Sequence, residues 1–333
     1  MPIHPAHRIL FATLILAGCG DSNPTESDAG AKSDAAVDSG KPDATTRADS
    51  GTDAGRPNEQ DAATDAGSAV DAAPVGDDEQ VVELRFHAQL GEQPIACGSS
   101  FESQGSTAQT ITLRDLRVFV QDVALVDAAG REVPVKLDTR APWQNAEVAL
   151  LDFEDSTGEC FSTPETNEQI TGVVPKGDYV AVRFSHGVPE KLNHSDPKMF
   201  PPPLQTPGMS WNWLLGLRFL KLEVGTADVE GVDAGAAPGS FSLHVGSTGC
   251  AGNQNEGTIK CAKPNRSRIE LKDFELAKSE IVLDIKPLIS GSDLSETIEC
   301  HSGTAVCDPL FKAVGVSYAS GAPSKDQTVF RLK

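Results

Sequence analysis

The stretch VVELRFHAQL, at positions 81–90, decides the fold because apolar and polar side chains alternate along it. An alternation with a period of two is typical of a β-strand that buries one face. We predict further strands at 116–126, 133–137, 146–153, 177–184, 217–224, 241–245, 267–271 and 281–285. Turn residues separate these segments, and many short strands joined by turns favour an all-β sandwich or barrel.

Helical periodicity is scarce. Residues 113–118 and 307–314 could each form a turn or two of helix. Two long segments interrupt the strands: 192–204, which has three consecutive prolines, and 246–265, which holds two cysteines. Because proline is excluded from helix interiors and central strands, we expect the first segment to be a long loop. Long loops in compact domains are often functional, and we expect disulfides to hold these in place.

The N-terminus has the layout of an export signal. A weakly basic start precedes an apolar run, residues 9–17, that is shorter than the roughly 20 residues needed to span a bilayer. The sequence LAGC that ends at Cys19 resembles the lipobox of bacterial lipoproteins. This resemblance implies that 1–18 is a signal peptide and that Cys19 becomes the lipidated N-terminus. Gly20, where an aspartate would signal retention in the inner membrane, favours the outer membrane.

The segment that follows has a different composition. Ala, Asp, Gly, Ser and Thr dominate residues 19–78, and no aromatic residue occurs there. Such a chain cannot bury enough apolar surface to offset its conformational entropy, so we predict a disordered acidic linker. The three predicted parts are therefore a signal peptide (1–18), the lipidated cysteine with its linker (19–78), and a β-rich domain (79–333).

Charge and motifs exclude several function classes. The chain has 28 basic and 48 acidic residues, a net charge of -20. Nucleic-acid binding needs a basic face that neutralises phosphates, so we expect no nucleic-acid partner. The GxSxG, HExxH and P-loop motifs are absent, so the sequence has none of the usual catalytic signatures. Asp152, Glu154 and Asp155 lie close together, but carboxylates beside a turn are usually solvated, so we expect no catalytic acid pair.

Five histidines belong to the predicted domain: His87, His186, His194, His244 and His301. Imidazole is the commonest metal ligand and suits copper and zinc. No HxH or HxxxH pair is present, so spacing alone does not establish a metal site. His87 and His244 lie in predicted strands, where they could face each other across a sheet.

A series of motifs runs through the domain from about residue 82 to the C-terminus. They are PIACG (94–98), LRDLRVFVQDVAL (113–125), VALLDFED (148–155) with the following Cys160, GVPEKLNHSD (187–196), PPLQTPGMSWNW (202–213), FSLHVGSTGC (241–250), CAKPNR (261–266), and a terminal C-x6-C followed by QTVFR. In order and coverage these motifs resemble the MbnP family, the methanobactin-associated periplasmic copper-binding proteins. That family is also described as the four-cysteine members of a metallo-mystery pair.

The resemblance implies a Greek-key β-sandwich that binds copper in the periplasm or at the cell surface. In that family a tryptophan is oxidised to kynurenine by MbnH, a diheme enzyme of the MauG and cytochrome c peroxidase type, and the new groups help to bind copper beside histidines. The protein would then be the substrate of an oxidising enzyme rather than an enzyme itself. A link to methanobactin need not follow.

The resemblance also selects candidate site residues. His194 and His244 fall within matched motifs and are the leading copper ligands, and His87, on a matched strand, is a third candidate. The choice of the modified tryptophan stays open. The candidates are Trp213, Trp211 and Trp143.

The six cysteines of the predicted domain allow a prediction of its disulfides. In an exported protein, cysteines are expected to form disulfides. Nearness in the sequence favours Cys250–Cys261 and Cys300–Cys307, which leaves Cys97–Cys160.

The alternative function is a structural or adhesive surface lipoprotein without a metal. A neighbouring gene that encodes a protein with two CxxCH haem-attachment motifs would favour the copper-binding hypothesis.

Overall fold

The computed structural model describes residues 75–195, 199–212, 214–226, 239–301 and 305–333. The predicted signal peptide, Cys19, nearly all of the predicted linker and Trp213 lie outside these residues. Within the described ranges, no helix is long and apolar enough to cross a membrane.

Strands form most of the regular structure. They are β1 (Glu79–Leu90), β2 (Gln93–Pro94), β3 (Ser100–Gln104), β4 (Gln109–Asp127), β5 (Glu132–Pro134), β6 (Lys136–Leu137), β7 (Val148–Asp152), β8 (Gln169–Pro175), β9 (Tyr179–His186), β10 (Leu220–Thr226), β11 (Ser240–Val245), β12 (Thr248–Ala251), β13 (Lys260–Lys263), β14 (Ile269–Lys272), β15 (Ile281–Asp284), β16 (Ile298–Cys300) and β17 (Phe330–Leu332). The helices are α1 (Glu190–Asn193), α2 (Lys286–Ile289) and α3 (Asp308–Ala313), with 3-10 turns at Gln254–Glu256 and Ala305–Cys307.

The described strands form two large sheets and one small one. The six-stranded sheet has the order β17-β15-β1-β8-β6, and β2 pairs with β1. The nine-stranded sheet has the order β14-β9-β4-β10-β11-β16, and β3, β5 and β7 also pair with β4. β1 runs parallel to β15, and β11 runs parallel to β16. β12 and β13 form a separate two-stranded sheet.

The main hydrophobic core joins the two large sheets. Phe184 of the nine-stranded sheet packs edge-on against Phe86 and Phe330 of the six-stranded sheet, with ring centroids 5.7 and 5.2 Å apart. Such edge-to-face pairs add to the stabilisation that burial of the rings already gives. The prediction of an all-β sandwich is therefore confirmed.

The alternation read from the sequence holds in β1, whereas β4 and β7 are buried almost throughout. In β1, Val82, Leu84 and Phe86 are buried while the intervening residues are more exposed, as the period of two predicts. The helical turn expected at 113–118 is wrong, because these residues belong to β4. There they pair with β10, and cross-strand hydrogen bonds and burial override a weak local preference for helix. The turn of helix expected at 307–314 is confirmed by α3.

Three disulfides cross-link the described chain. They join Cys97 to Cys160, Cys250 to Cys261, and Cys300 to Cys307, which is the pairing predicted from the sequence. The second disulfide links residues directly opposite each other in β12 and β13. The third ties the end of β16 to the residue before α3.

Candidate metal centre

The candidate site is built on one face of the β10–β11 pair. In this antiparallel pair Lys221 lies opposite His244, and Glu223 lies opposite Ser242. Because successive side chains of a strand alternate between faces, Lys221, Glu223 and His244 share a face. The other face carries Leu222 and Leu243, which are buried in the main core. Burial of the apolar face therefore fixes the register that brings the polar side chains together.

His244 is oriented by a carboxylate. Its Nε2 lies 2.6 Å from Glu223 Oε1, and its side chain is 8% exposed. A carboxylate acceptor at Nε2 places the proton on that nitrogen and leaves the lone pair on Nδ1. Nδ1 is buried and has no hydrogen-bond partner among the described residues. His244 thus presents one unpaired nitrogen in a fixed direction.

Burial of this pair favours a neutral imidazole. Burial lowers the pKa of His244 below its ordinary value, against the raising effect of the hydrogen bond to Glu223. Burial alone would raise the pKa of Glu223, but the hydrogen bond from His244 and the charge of Lys221 lower it to about 2. At neutral pH Glu223 is therefore ionised and His244 neutral, which is the form that binds metals.

Two more rings approach His244 from other parts of the chain. The ring centroid of His301 is 4.6 Å from that of His244, and the centroid of Trp211 is 6.5 Å away. His301 follows Cys300, which lies opposite Leu243 in the parallel β11–β16 pair. Three separate segments therefore converge on one place, and two of them supply imidazoles.

Trp211 is held in position by Arg218 and by close packing against the backbone at Gly246. The Arg218 guanidinium lies 4.9 Å from the centre of the indole ring. The same guanidinium donates to the carbonyl oxygens of Gly208 and Ser210, at 2.7 and 2.5 Å, and so fixes the loop that carries Trp211. A side chain at Gly246 would collide with the indole, so this glycine allows the ring to lie close to the backbone of the residue that follows β11.

A chain of ion pairs runs inward from Glu223. Its Oε1 lies 3.3 Å from Lys221 Nζ, which lies 2.6 Å from Asp115 Oδ2. Asp115 in turn accepts from Arg117, whose side chain is fully buried. Arg117 also donates to the carbonyl oxygen of Pro207, just before the loop of Trp211. Paired charges of this kind tolerate burial, whereas loss of one partner leaves an uncompensated charge.

The expectation that Asp152 and Glu154 are solvated is wrong. Both are fully buried and face the charge of Arg117, while Asp155 is partly exposed. Burial raises the pKa of Asp152 to about 7, although the charge of Arg117 lowers it. The reason is position: Asp152 ends β7 and pairs with Arg117 on β4, so it lies inside the sheet. These carboxylates balance a buried cation.

The other predicted residues lie in different surroundings. His194 Nε2 is 3.1 Å from the sulfur of Cys261. The idea that His87 and His244 face each other across one sheet is wrong, because β1 and β11 belong to different sheets. His87 Nδ1 lies 3.6 Å from Glu168, and its Nε2 lies 3.3 Å from Glu280. Trp143 is half-buried and packs against a second, smaller hydrophobic cluster.

Known proteins share the sequence pattern and the fold of this chain. The MbnP family model matches residues 79–302. The chain belongs to the MbnP family. Among solved structures, it is similar to MbnP from Methylosinus trichosporium, with 31% sequence identity and a TM-score of 0.66. That match covers 76% of this chain and 98% of the other. Among curated protein sequences, none matches the chain.

Two residues of the candidate site were not singled out from the sequence. Glu223 lies in the predicted strand 217–224, and pairing of that strand with 241–245 would have placed it near His244. His301 gives a weaker signal, since it follows a three-residue strand whose parallel partner lies more than fifty positions earlier. Its position beside a cysteine is the one local indication that it is held in place.

Proposed function

We propose that this MbnP-family protein is a cell-envelope lipoprotein that binds copper at His244 and His301, beside Trp211. The observation that carries the proposal is the buried Nδ1 of His244, which has no hydrogen-bond partner among the described residues while Nε2 is hydrogen-bonded to Glu223. Histidine ligands of metals generally donate their second nitrogen to a carboxylate or carbonyl in this way. His301 supplies a second imidazole at 4.6 Å between ring centroids, and imidazole suits copper.

Trp211 is the tryptophan we propose as the site of modification. Its ring lies 6.5 Å from that of His244, whereas Trp143 packs in a different cluster. By the family resemblance, a diheme enzyme of the MbnH type would oxidise the indole to kynurenine. Compared with tryptophan, kynurenine has one more oxygen atom and one fewer carbon atom, and it carries a ketone and an aniline nitrogen. Both groups are potential ligands next to the two imidazoles.

His194 and His87 are not part of the proposed centre. Nε2 of His194 contacts the sulfur of Cys261, and the ring of His87 lies between two glutamates on the other sheet. Both stay useful as controls, because removing either ring should leave the surroundings of His244 intact.

The location of the protein is proposed from its family and N-terminus. MbnP membership favours a periplasmic domain, and the LAGC sequence favours a lipid on Cys19. Gly20 favours the outer membrane over the inner. The acidic linker would let the domain reach a diheme partner from the membrane surface. In this proposal the protein binds copper and performs no catalysis of its own.

Copper binding to matched variants tests the proposal. The full chain is purified from its native host and titrated with Cu(I) against a chelator of known affinity. We expect about one equivalent of tightly bound copper in the wild type and in His87→Ala, and none in the double variant His244→Ala/His301→Ala. Equal binding by all three proteins would place copper elsewhere. Absence of binding by the wild type would favour the structural or adhesive alternative.

A further inference from the structure

A second group of metal-binding side chains lies at the hairpin formed by β12 and β13. Nε2 of His194 is 3.1 Å from Sγ of Cys261, and the ligand atoms of His194, Cys250 and Cys261 all lie within 4.8 Å of one another. Two sulfurs and one imidazole are the ligand types of soft-metal sites. While the sulfurs share a disulfide bond they are not thiolates, so metal binding at this place depends on reduction.

The nitrogen of His194 that faces the sulfurs carries a lone pair. Asn193 Oδ1 accepts from the backbone N–H of Leu217 at 2.9 Å, which fixes the orientation of the Asn193 amide. Its Nδ2 therefore points towards His194 Nε2, at 3.0 Å, and donates to it. A nitrogen that accepts a hydrogen bond is unprotonated, and a cation bound between Nε2 and Cys261 would replace the Asn193 donor at its one lone pair. Asn193 is 1% exposed, which makes this arrangement part of the interior.

This disulfide is also the most accessible of the three. Cys250 and Cys261 are partly exposed, whereas Cys97, Cys160, Cys300 and Cys307 are all buried. A surface cavity of about 590 Å³, lined by His194, Glu190 and Lys260 among others, lies beside it. A small reductant should therefore reach this disulfide before it reaches the other two.

We propose that Cys250, Cys261 and His194 form a reduction-dependent site for one thiophilic d10 cation, Zn²⁺ or Cu⁺. A dithiol reductant supplies two electrons and two protons, the S–S bond breaks to give two thiols, and the reductant becomes a disulfide. Binding of the cation then displaces the two thiol protons, leaving two thiolates and the imidazole as ligands. The site is separate from the centre proposed at His244 and does not depend on it.

The first test concerns which disulfide opens. The folded full chain is treated with limiting dithiothreitol without denaturant, the free thiols are alkylated, and the alkylated cysteines are identified by mass spectrometry. We expect Cys250 and Cys261 to be labelled well before the four buried cysteines. Labelling of the buried cysteines first would overturn the proposal.

The second test uses Co²⁺ and Zn²⁺ on the reduced, desalted protein under anaerobic conditions. Thiolate-to-Co²⁺ charge-transfer absorption reports sulfur ligands specifically, and Zn²⁺ should displace the Co²⁺. We expect one equivalent of such binding after reduction, none before it, and none in Cys250→Ser/Cys261→Ser. His194→Ala should weaken binding by roughly tenfold or more.

His244→Ala is the control that separates this site from the proposed copper centre, and it should leave the charge-transfer signal unchanged. Absence of the signal in the reduced wild type, its persistence in the double serine variant, or an unchanged affinity in His194→Ala would each contradict the proposal.

Discussion

Two buried histidines of the nine-stranded sheet behave differently, and the contrast explains what makes a candidate ligand. His186 ends β9, is fully buried, and lies beside the backbone of Asn265 and the charge of Arg266. His244 lies on β11, is slightly exposed, and faces a carboxylate, a second imidazole and an indole. Burial alone therefore marks a core residue, whereas a carboxylate on one nitrogen and a second imidazole near the ring mark a metal site.

Exchange of each histidine for leucine should separate the two roles most strongly. His244→Leu should lower copper affinity by more than roughly 100-fold, because water cannot easily replace a buried ligand. The loss should therefore exceed that usual for removal of a residue hydrogen-bonded to a ligand. His186→Leu should leave copper affinity unchanged, since its ring lies in the core. Chelator competition measures both, and comparable losses in the two variants would remove the distinction.

The second expected effect is on stability and concerns His186. Burial lowers its pKa to about 4, so the folded protein keeps this ring neutral while the unfolded chain takes up a proton below its ordinary pKa of about 6.5. The unfolded state therefore binds more protons between pH 6.5 and 4, and the free energy of unfolding falls as the pH falls through that window. At pH 4.5 the loss should be roughly 2 to 3 kcal/mol.

His186→Leu is the matched reference for this effect. Denaturant unfolding of both proteins at pH 7.5 and 4.5 gives the difference between them. Asp152 acts in the opposite direction, since its raised pKa makes stability fall as the pH rises from about 4 to about 7. Asp152 is present in both proteins, so its contribution to the pH dependence of stability cancels when the two proteins are compared. If the free energy of unfolding had the same pH dependence in the wild type and the variant, His186 would take up a proton as easily in the folded protein as in the unfolded chain, which would contradict the prediction.

A smaller effect should follow when the orienting carboxylate is removed. Glu223→Gln keeps the size of the side chain but loses the charge that holds the proton on Nε2 of His244. Copper affinity should fall by roughly 10- to 100-fold. Glu270→Gln, which alters a surface ion pair with Arg183, is the control and should bind as the wild type does. An unaffected Glu223→Gln would mean that the tautomer of His244 is set by something else.

The smallest effect is expected at His301. Its side chain is 42% exposed, so water or a neighbouring group can take the place of its nitrogen. His301→Ala should reduce copper affinity by roughly tenfold, less than the loss in His244→Leu. A loss equal to that of His244 would make the two imidazoles equivalent ligands, and the contrast between the oriented and the exposed ring would no longer hold.

The sequence predicted the long strands well and the site only in part. Strands such as β1 and β11 alternate clearly, because one face meets the core and the other does not. β13 and β16 were missed because they are short. β8 was also missed, although its seven residues alternate in burial. His244 and Trp211 were both candidates, yet the register that joins β10 to β11 could not be read from the sequence of these two strands.

The buried charges show the same limit. Asp152 looks like a surface residue in the sequence, and only the pairing of β7 with β4 places it against Arg117. The same holds for His301, which parallel pairing of β11 with β16 brings to His244. Local patterns predict which residues form strands, whereas the meeting of distant polar side chains depends on a three-dimensional register.

The central claim is that copper lies beside a modified Trp211. Peptide mass spectrometry and metal analysis on one sample of protein from its native host test it most directly, with fragmentation that separates Trp211 from Trp213. We expect a gain of about 4 Da on Trp211, from one oxygen gained and one carbon lost, together with about one equivalent of copper. Three unmodified tryptophans without copper in a host that has the diheme enzyme, or a mass gain on Trp213 or Trp143 in place of Trp211, would contradict the claim.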